Sequence, residues 1–121
     1  MNDGGRMSGS AVARAQGMFN IAFGLWPLIH RRSFEGVFGP KHDYWIAATV
    51  ALLLVGNGTV QLLNASTPGG VAFAKRLGVT TAAALAGVDV VNVARGRISS
   101  AYLVDAAAEV GWLGVWARVG S

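Results

Sequence analysis

The sequence predicts an all-α integral membrane protein, a bundle of four helices running up-down-up-down. Three observations predict it. Of 121 residues, 53% are hydrophobic and only 13% charged, with a mean hydropathy of +0.46, whereas soluble domains average about 25% charged. The basic residues sit at the ends of apolar stretches: Arg31-Arg32, Lys75-Arg76, Arg95 with Arg97, and Arg118. That is where flanking charges mark membrane spans. The apolar stretches themselves fall at about 11–30, 45–63, 73–95 and 100–117, each near the roughly 20 residues that a bilayer-crossing helix needs.

Residues 1–10 are rich in Gly and Ser and are expected to be disordered, ahead of a four-span domain over 11–118. They have no basic segment followed by an unbroken apolar core, so they do not read as a secretory signal peptide. The first span is impure. Arg14, Gln16 and Asn20 interrupt it, and Phe19, Ile21, Phe23, Leu25 and Trp26 carry its apolar load. Arg14 lies near enough to the end to snorkel to the headgroups, and His30, Arg31 and Arg32 stop the helix. In the connection 33–45, Gly39-Pro40 is a breaker, while Phe34, Val37 and Phe38 are too apolar for a solvated loop. A short interfacial helix is expected there, with its phenylalanines turned into lipid or the bundle mouth.

The second span contains no charge, and its main polar residues are Asn57 and Gln61. Residues 64–70, NASTPGG, predict a turn. The third span is rich in Ala, Gly and Thr, and small residues let helices approach closely in lipid. Arg95-Gly96-Arg97 ends it, and Ser99 or Ser100 is a natural N-cap for the fourth span, which finishes with Trp112 and Trp116 as interfacial anchors. Both termini then share one face. The ten Lys and Arg divide equally between the two faces, so the positive-inside rule gives no orientation, although the short loops holding Arg31, Arg32, Lys41, Arg95 and Arg97 lean towards the cytoplasm.

Each span carries a polar pair at helical spacing: Gln16/Asn20, Asn57/Gln61, Asp89/Asn92 and Asp105/Glu109. Offsets of three or four put both members on one face. Tyr102, Asp105, Glu109, Trp112 and Trp116 likewise share one face of the last span. A carboxylate at bilayer depth costs about 2.5–3.5 kcal/mol on insertion scales, so it faces a partner or a wet cavity. The expected interior is a polar column, with the glutamines at the terminal end, Glu109 between Asn20 and Asn57 at mid-depth, and Asp89, Asn92 and Asp105 at the other end. Glu109 has no basic residue at its level and is the candidate proton donor. The competing reading is structural glue, with Asp89 and Asp105 paired to Arg95 or Arg97.

Several classes are excluded. With no cysteine, disulfides, thiolate zinc sites and thiol catalysis are absent. His30 and His42 are twelve apart, without ligand-like spacing, so no metal and no cofactor is expected. No Lys/Arg run exceeds two residues, so nucleic acid is not an expected partner.

The stretches FEGVFGPKHDYW and DVVNVARGRISSAYLVDAAAE resemble a family of small bacterial four-span membrane proteins without assigned chemistry, over roughly residues 14–114. In size and span count the chain is also similar to DoxX-like proteins, though it matches no DoxX motif. The resemblance implies the four-span topology and a bacterial cytoplasmic membrane, and no mechanism.

Two functions are expected from the residues. In the first, the bundle binds a lipophilic small molecule and acts on it by acid/base chemistry. Glu109 would be the acid, Asp105 and Asp89 its base or charge partners; Gln16, Asn20, Asn57, Gln61, Asn92, Tyr102 and Trp112 would line the pocket. In the alternative, the chain is an accessory subunit of a larger membrane complex, or a homo-oligomer, and its small-residue third span packs on the partner.

Overall fold

The computed structural model describes residues 8–39, 44–96, 98 and 100–119. The chain is all-α. Its five helices are α1 (Gly9–Ile29), α2 (Arg31–Phe38), α3 (Tyr44–Leu63), α4 (Pro68–Ala94) and α5 (Tyr102–Ala117), and there is no strand among the described residues. Pro40 of the breaker, Lys41, His42, Arg97 and Ser99 fall outside the described residues, as do residues 1–7 of the segment expected to be disordered.

The ends of the helices follow from capping. At α1, Ser8 Oγ accepts from the Ala11 N–H at 3.4 Å, which starts the helix at Gly9. The expectation of disorder through residue 10 is therefore corrected for Ser8–Ser10. His30 closes α1 by donating its N–H to the Trp26 carbonyl at 2.9 Å, and it opens α2 by accepting from the Ser33 N–H at 3.2 Å. The expected short helix of the first connection is thus α2, which begins immediately where α1 stops. The third span also starts earlier than predicted, at Pro68 instead of 73. Thr67 Oγ1 accepts from the Gly70 N–H at 3.0 Å, and proline suits the first helical turn, where its missing N–H has no partner to lose. At α5 Ala101, not Ser100, holds the N-cap position, without a side-chain hydrogen bond, and Ser99 lies outside the described residues.

Facing residues fix the sense of each neighbour. Gly17 lies against Gly58 and Gly24 against Ala51, so α1 and α3 are antiparallel. Gln61 reaches Ala74, and Asn57 reaches Thr81, so α3 and α4 are antiparallel. Asp89 lies beside Asp105 while Trp116 packs near Ala74, so α5 is antiparallel to α4. The bundle therefore runs α1, α3, α4, α5 with alternating sense. Glycine makes the α1–α3 approach possible: a Cβ on Gly24 would sit 2.5 Å from the Ala51 carbonyl oxygen, and one on Gly17 2.8 Å from that of Gly58. The buried small residues of α4, Ala74, Gly78, Ala82 and Ala86, are consumed inside this same bundle.

Large polar side chains are buried while several large apolar ones are exposed. The largest fully buried side chains are Trp116, Gln16, Gln61, Glu109 and Asn20, while Leu53 is 62% exposed, Leu63 77% and Val104 72%. Two helices, α3 and α4, are long and apolar enough to cross a membrane. The other two long helices fall short for different reasons. Gln16, Asn20 and Arg14 dilute α1, and α5 has 16 residues, about 24 Å at 1.5 Å per residue.

Candidate functional site

Two polar clusters occupy the interior at different depths. The first is an amide knot joining all four long helices. Gln16 Oε1 accepts from Trp116 Nε1 at 2.6 Å and from Gln61 Nε2 at 2.9 Å. Gln16 Nε2 donates to the Gly78 carbonyl at 3.2 Å, Gln61 Nε2 also reaches the Ala74 carbonyl at 3.3 Å, and Asn20 Nδ2 donates to Gln61 Oε1 at 2.9 Å. Gly78 leaves room for it, since a Cβ there would come within 2.6 Å of Gln61 Nε2. These amides hold one another and the backbone. They were expected to orient a ligand, but their hydrogen-bonding groups are already spent on each other.

The second cluster is acidic. Asp89, Asp105 and Glu109 are all buried, and Asp105 lies within hydrogen-bonding reach of both other carboxyl groups, with Tyr102 as a further neighbour of the aspartates. One oxygen of each acid, Asp89 Oδ2, Asp105 Oδ1 and Glu109 Oε1, is enclosed without a hydrogen-bond donor. None of the three forms a salt bridge among the described residues, where the ion pair is Arg31–Glu35 at 3.2 Å on the surface. The expected pairing of the aspartates with Arg95 is thus not made. Nor does Glu109 sit between amides: Asn20 donates to Gln61, and Asn57 donates to Thr81 Oγ1 at 3.1 Å. Asn92 is outside both clusters, because its amide donates to the Val88 carbonyl of its own helix at 2.8 Å.

An aromatic wall stands across from the acids. Helix α2 folds back so that Phe34 and Phe38 are buried against Phe23 and Trp26 of α1, with ring centroids 4.9–6.4 Å apart. Trp26 Nε1 donates to Ser33 Oγ at 2.7 Å and the Tyr44 hydroxyl donates to the Pro27 carbonyl at 2.6 Å, which fixes the corner. His30 is a capping residue of that corner and lies apart from the acids. Two ring pairs then bridge to α5: Phe38 on Tyr102 at 4.5 Å and Phe19 on Trp112 at 5.6 Å.

Between those bridges lies a cleft of about 520 Å³, lined by Phe19, Ala22, Phe23, Trp26, Val37, Phe38, Ala101, Val104, Asp105 and Ala108. It exists because Ala22, Ala101 and Ala108 are small. Asp105 is the one ionisable residue on its wall among the described residues, and Glu109 and Asp89 stand behind it. The pocket is therefore an aromatic cleft ending on a carboxyl group, not the polar column expected along the bundle axis. Of the residues expected to line it, Asp105 does so directly, Tyr102 and Trp112 bound it, and Gln16, Asn20, Asn57, Gln61 and Asn92 do not. Sequence reasoning missed Phe23, Trp26 and Phe38 as lining residues. The signal was present in α2, whose phenylalanines needed somewhere to be buried.

Chemically, such a site can bury an apolar body and offer it one polar contact, a carboxyl able to accept a hydrogen bond or hand over a proton. Comparison with known proteins gives no match to this chain: no protein family, no curated protein and no solved structure.

Proposed function

We propose that this is a multi-pass protein of a cytoplasmic membrane that crosses it four times and takes a lipophilic small molecule into the cleft between α1, α2 and α5. The observation that carries the reading is an aromatic cleft of about 520 Å³ whose one ionisable wall residue, among the described residues, is Asp105. Ligand pockets run to about 300–1,000 Å³, mostly apolar with a few placed polar groups. The membrane part rests on this distribution of buried polar and exposed apolar side chains and on helix pairing. If α3 and α4 cross the bilayer, α1 packed along α3 and α5 packed along α4 cross with them. Val104 and Val37 on the rim of the cleft are 72% and 50% exposed, so a ligand dissolved in lipid enters sideways between them.

Asp105 touches the ligand in this reading, and Glu109 behind it supplies or receives the proton when the ligand's own chemistry demands one. The accessory-subunit alternative has the small residues of α4 docking a partner, and of these Ala74 and Gly78 pack within this chain, against Gln61 and, for Gly78, Gln16. Mass spectrometry of small molecules that co-purify in mild detergent tests the proposal. The wild type should retain a stoichiometric lipophilic species, and Ala108→Phe, which fills the cleft while keeping all three carboxyls in the chain, should lose it. Equal retention by the two proteins would contradict the assignment of the cleft.

A further inference from the structure

We infer that the occupant of the cleft is a lipophilic cation, an organic ammonium or similarly delocalised positive group on an apolar body. This rests on the reading of the cleft as a ligand site and adds the charge of what enters it. The cleft has two chemical surfaces and both favour positive charge. On one side Asp105, 7% exposed, lines the space while its Oδ1 is enclosed without a donor. Behind it the enclosed oxygens of Glu109 and Asp89 are equally without one. A positive group in the cleft would pair with the Asp105 carboxyl across a low-dielectric gap, where their attraction is screened little. On the other side stand the rings of Phe23, Trp26 and Phe38, and aromatic faces attract a cation within about 6 Å of their centroids.

Other occupants fit less well. An uncharged hydrocarbon would fill the cleft without making a polar contact to the Asp105 carboxyl on its wall. An anion would meet the Asp105 carboxyl, which forms no salt bridge among the described residues. A bare metal ion is not matched either, because no three acidic or histidine side chains converge as metal ligands among the described residues. The exposed valines of the rim open towards lipid and so select a cation with an apolar body.

The test uses the full chain in mild detergent, with three probes of similar shape: tetraphenylphosphonium, the tetraphenylborate anion and uncharged triphenylmethane. Quenching of tryptophan fluorescence reports binding, since Trp26 lines the cleft. The cation should quench saturably, at least tenfold more tightly than either other probe. Asp105→Asn should weaken the cation at least tenfold and bring it level with triphenylmethane. If Asp105→Asn does not fold, as judged by helicity and elution volume, Ala108→Phe must abolish cation quenching with all three carboxyls intact. Binding of triphenylmethane or tetraphenylborate as tightly as the cation would overturn the charge assignment and leave the cleft reading standing. Failure of every probe to bind saturably would overturn both.

Discussion

Gln16, like Gln61, makes three buried side-chain hydrogen bonds. Its Oε1 accepts from Trp116 and Gln61, and its Nε2 donates to the Gly78 carbonyl. Interhelical hydrogen bonds in membranes contribute about 0.6 kcal/mol each, up to about 1.7. Losing these three by Gln16→Leu should therefore destabilise the protein by about 2 kcal/mol, and by up to about 5. Gly78→Ala should act through the same knot, because its Cβ would enter the space of the Gln16 and Gln61 amides, although alanine is the better helix former by about 1 kcal/mol. Both variants should unfold at lower temperature than the wild type in detergent, and a wild-type midpoint for either would remove the knot from the account. The helical offsets of Gln16, Asn20 and Gln61 made their inward direction legible in the sequence. Their partner was not: Trp116 near a helix end read as an interfacial anchor, yet it is 1% exposed because Val12, Ala13, Ala65 and Ala74 leave room for an indole. Asn92 shows the limit of periodicity in the other direction, since a backbone acceptor four residues back in its own helix is available at every position.

Between elements, the α1–α3 pair depends on missing side chains. Gly24→Val would drive a branched side chain into the Ala51 carbonyl, Val55 and Leu54. Close contact of these helices would then be lost, and with it the α1 side of the bundle. Gly56 lies one helix face away and has open space around it, so Gly56→Ala should fold at least as well as the wild type. Circular dichroism melts of the two variants separate a packing role from a general intolerance of glycine replacement; similar behaviour of both would argue against the packing explanation. Element existence was readable from the composition, and the boundaries less so. Thr67-Pro68 is a cap and first-turn signature inside a stretch that otherwise reads as a turn. The acids were placed on the correct faces of α4 and α5, but their partners were not legible, because side chains from separate helices meet at a depth that depends on the crossing geometry. The aromatic cleft required knowing that α2 doubles back on α1, which an eight-residue helix outside any span does not reveal.

For the molecule as a whole, the distribution of polarity supports the proposed membrane environment. A bundle that buries two glutamines, an asparagine and three acids, and turns Leu52, Leu53, Leu63 and Val104 outward, is unstable in water, where burial of apolar surface stabilises a fold by about 25 cal/mol per Å². In lipid the outward face has its solvent, and the buried polar groups hold the helices together. The chain contains no cysteine, so single cysteines can be placed on a silent background and probed with a membrane-impermeant maleimide in sealed vesicles. Ser66→Cys, in the α3–α4 turn, and Arg118→Cys, after α5, should label from the same side. Gly36→Cys in α2 and Ser100→Cys before α5 should label from the opposite side only. Leu53→Cys and Val104→Cys on the apolar faces should stay unlabelled until detergent is added. Labelling of Leu53→Cys and Val104→Cys in intact vesicles at the rate of Ser66→Cys would place those faces in water and contradict the four-span bundle.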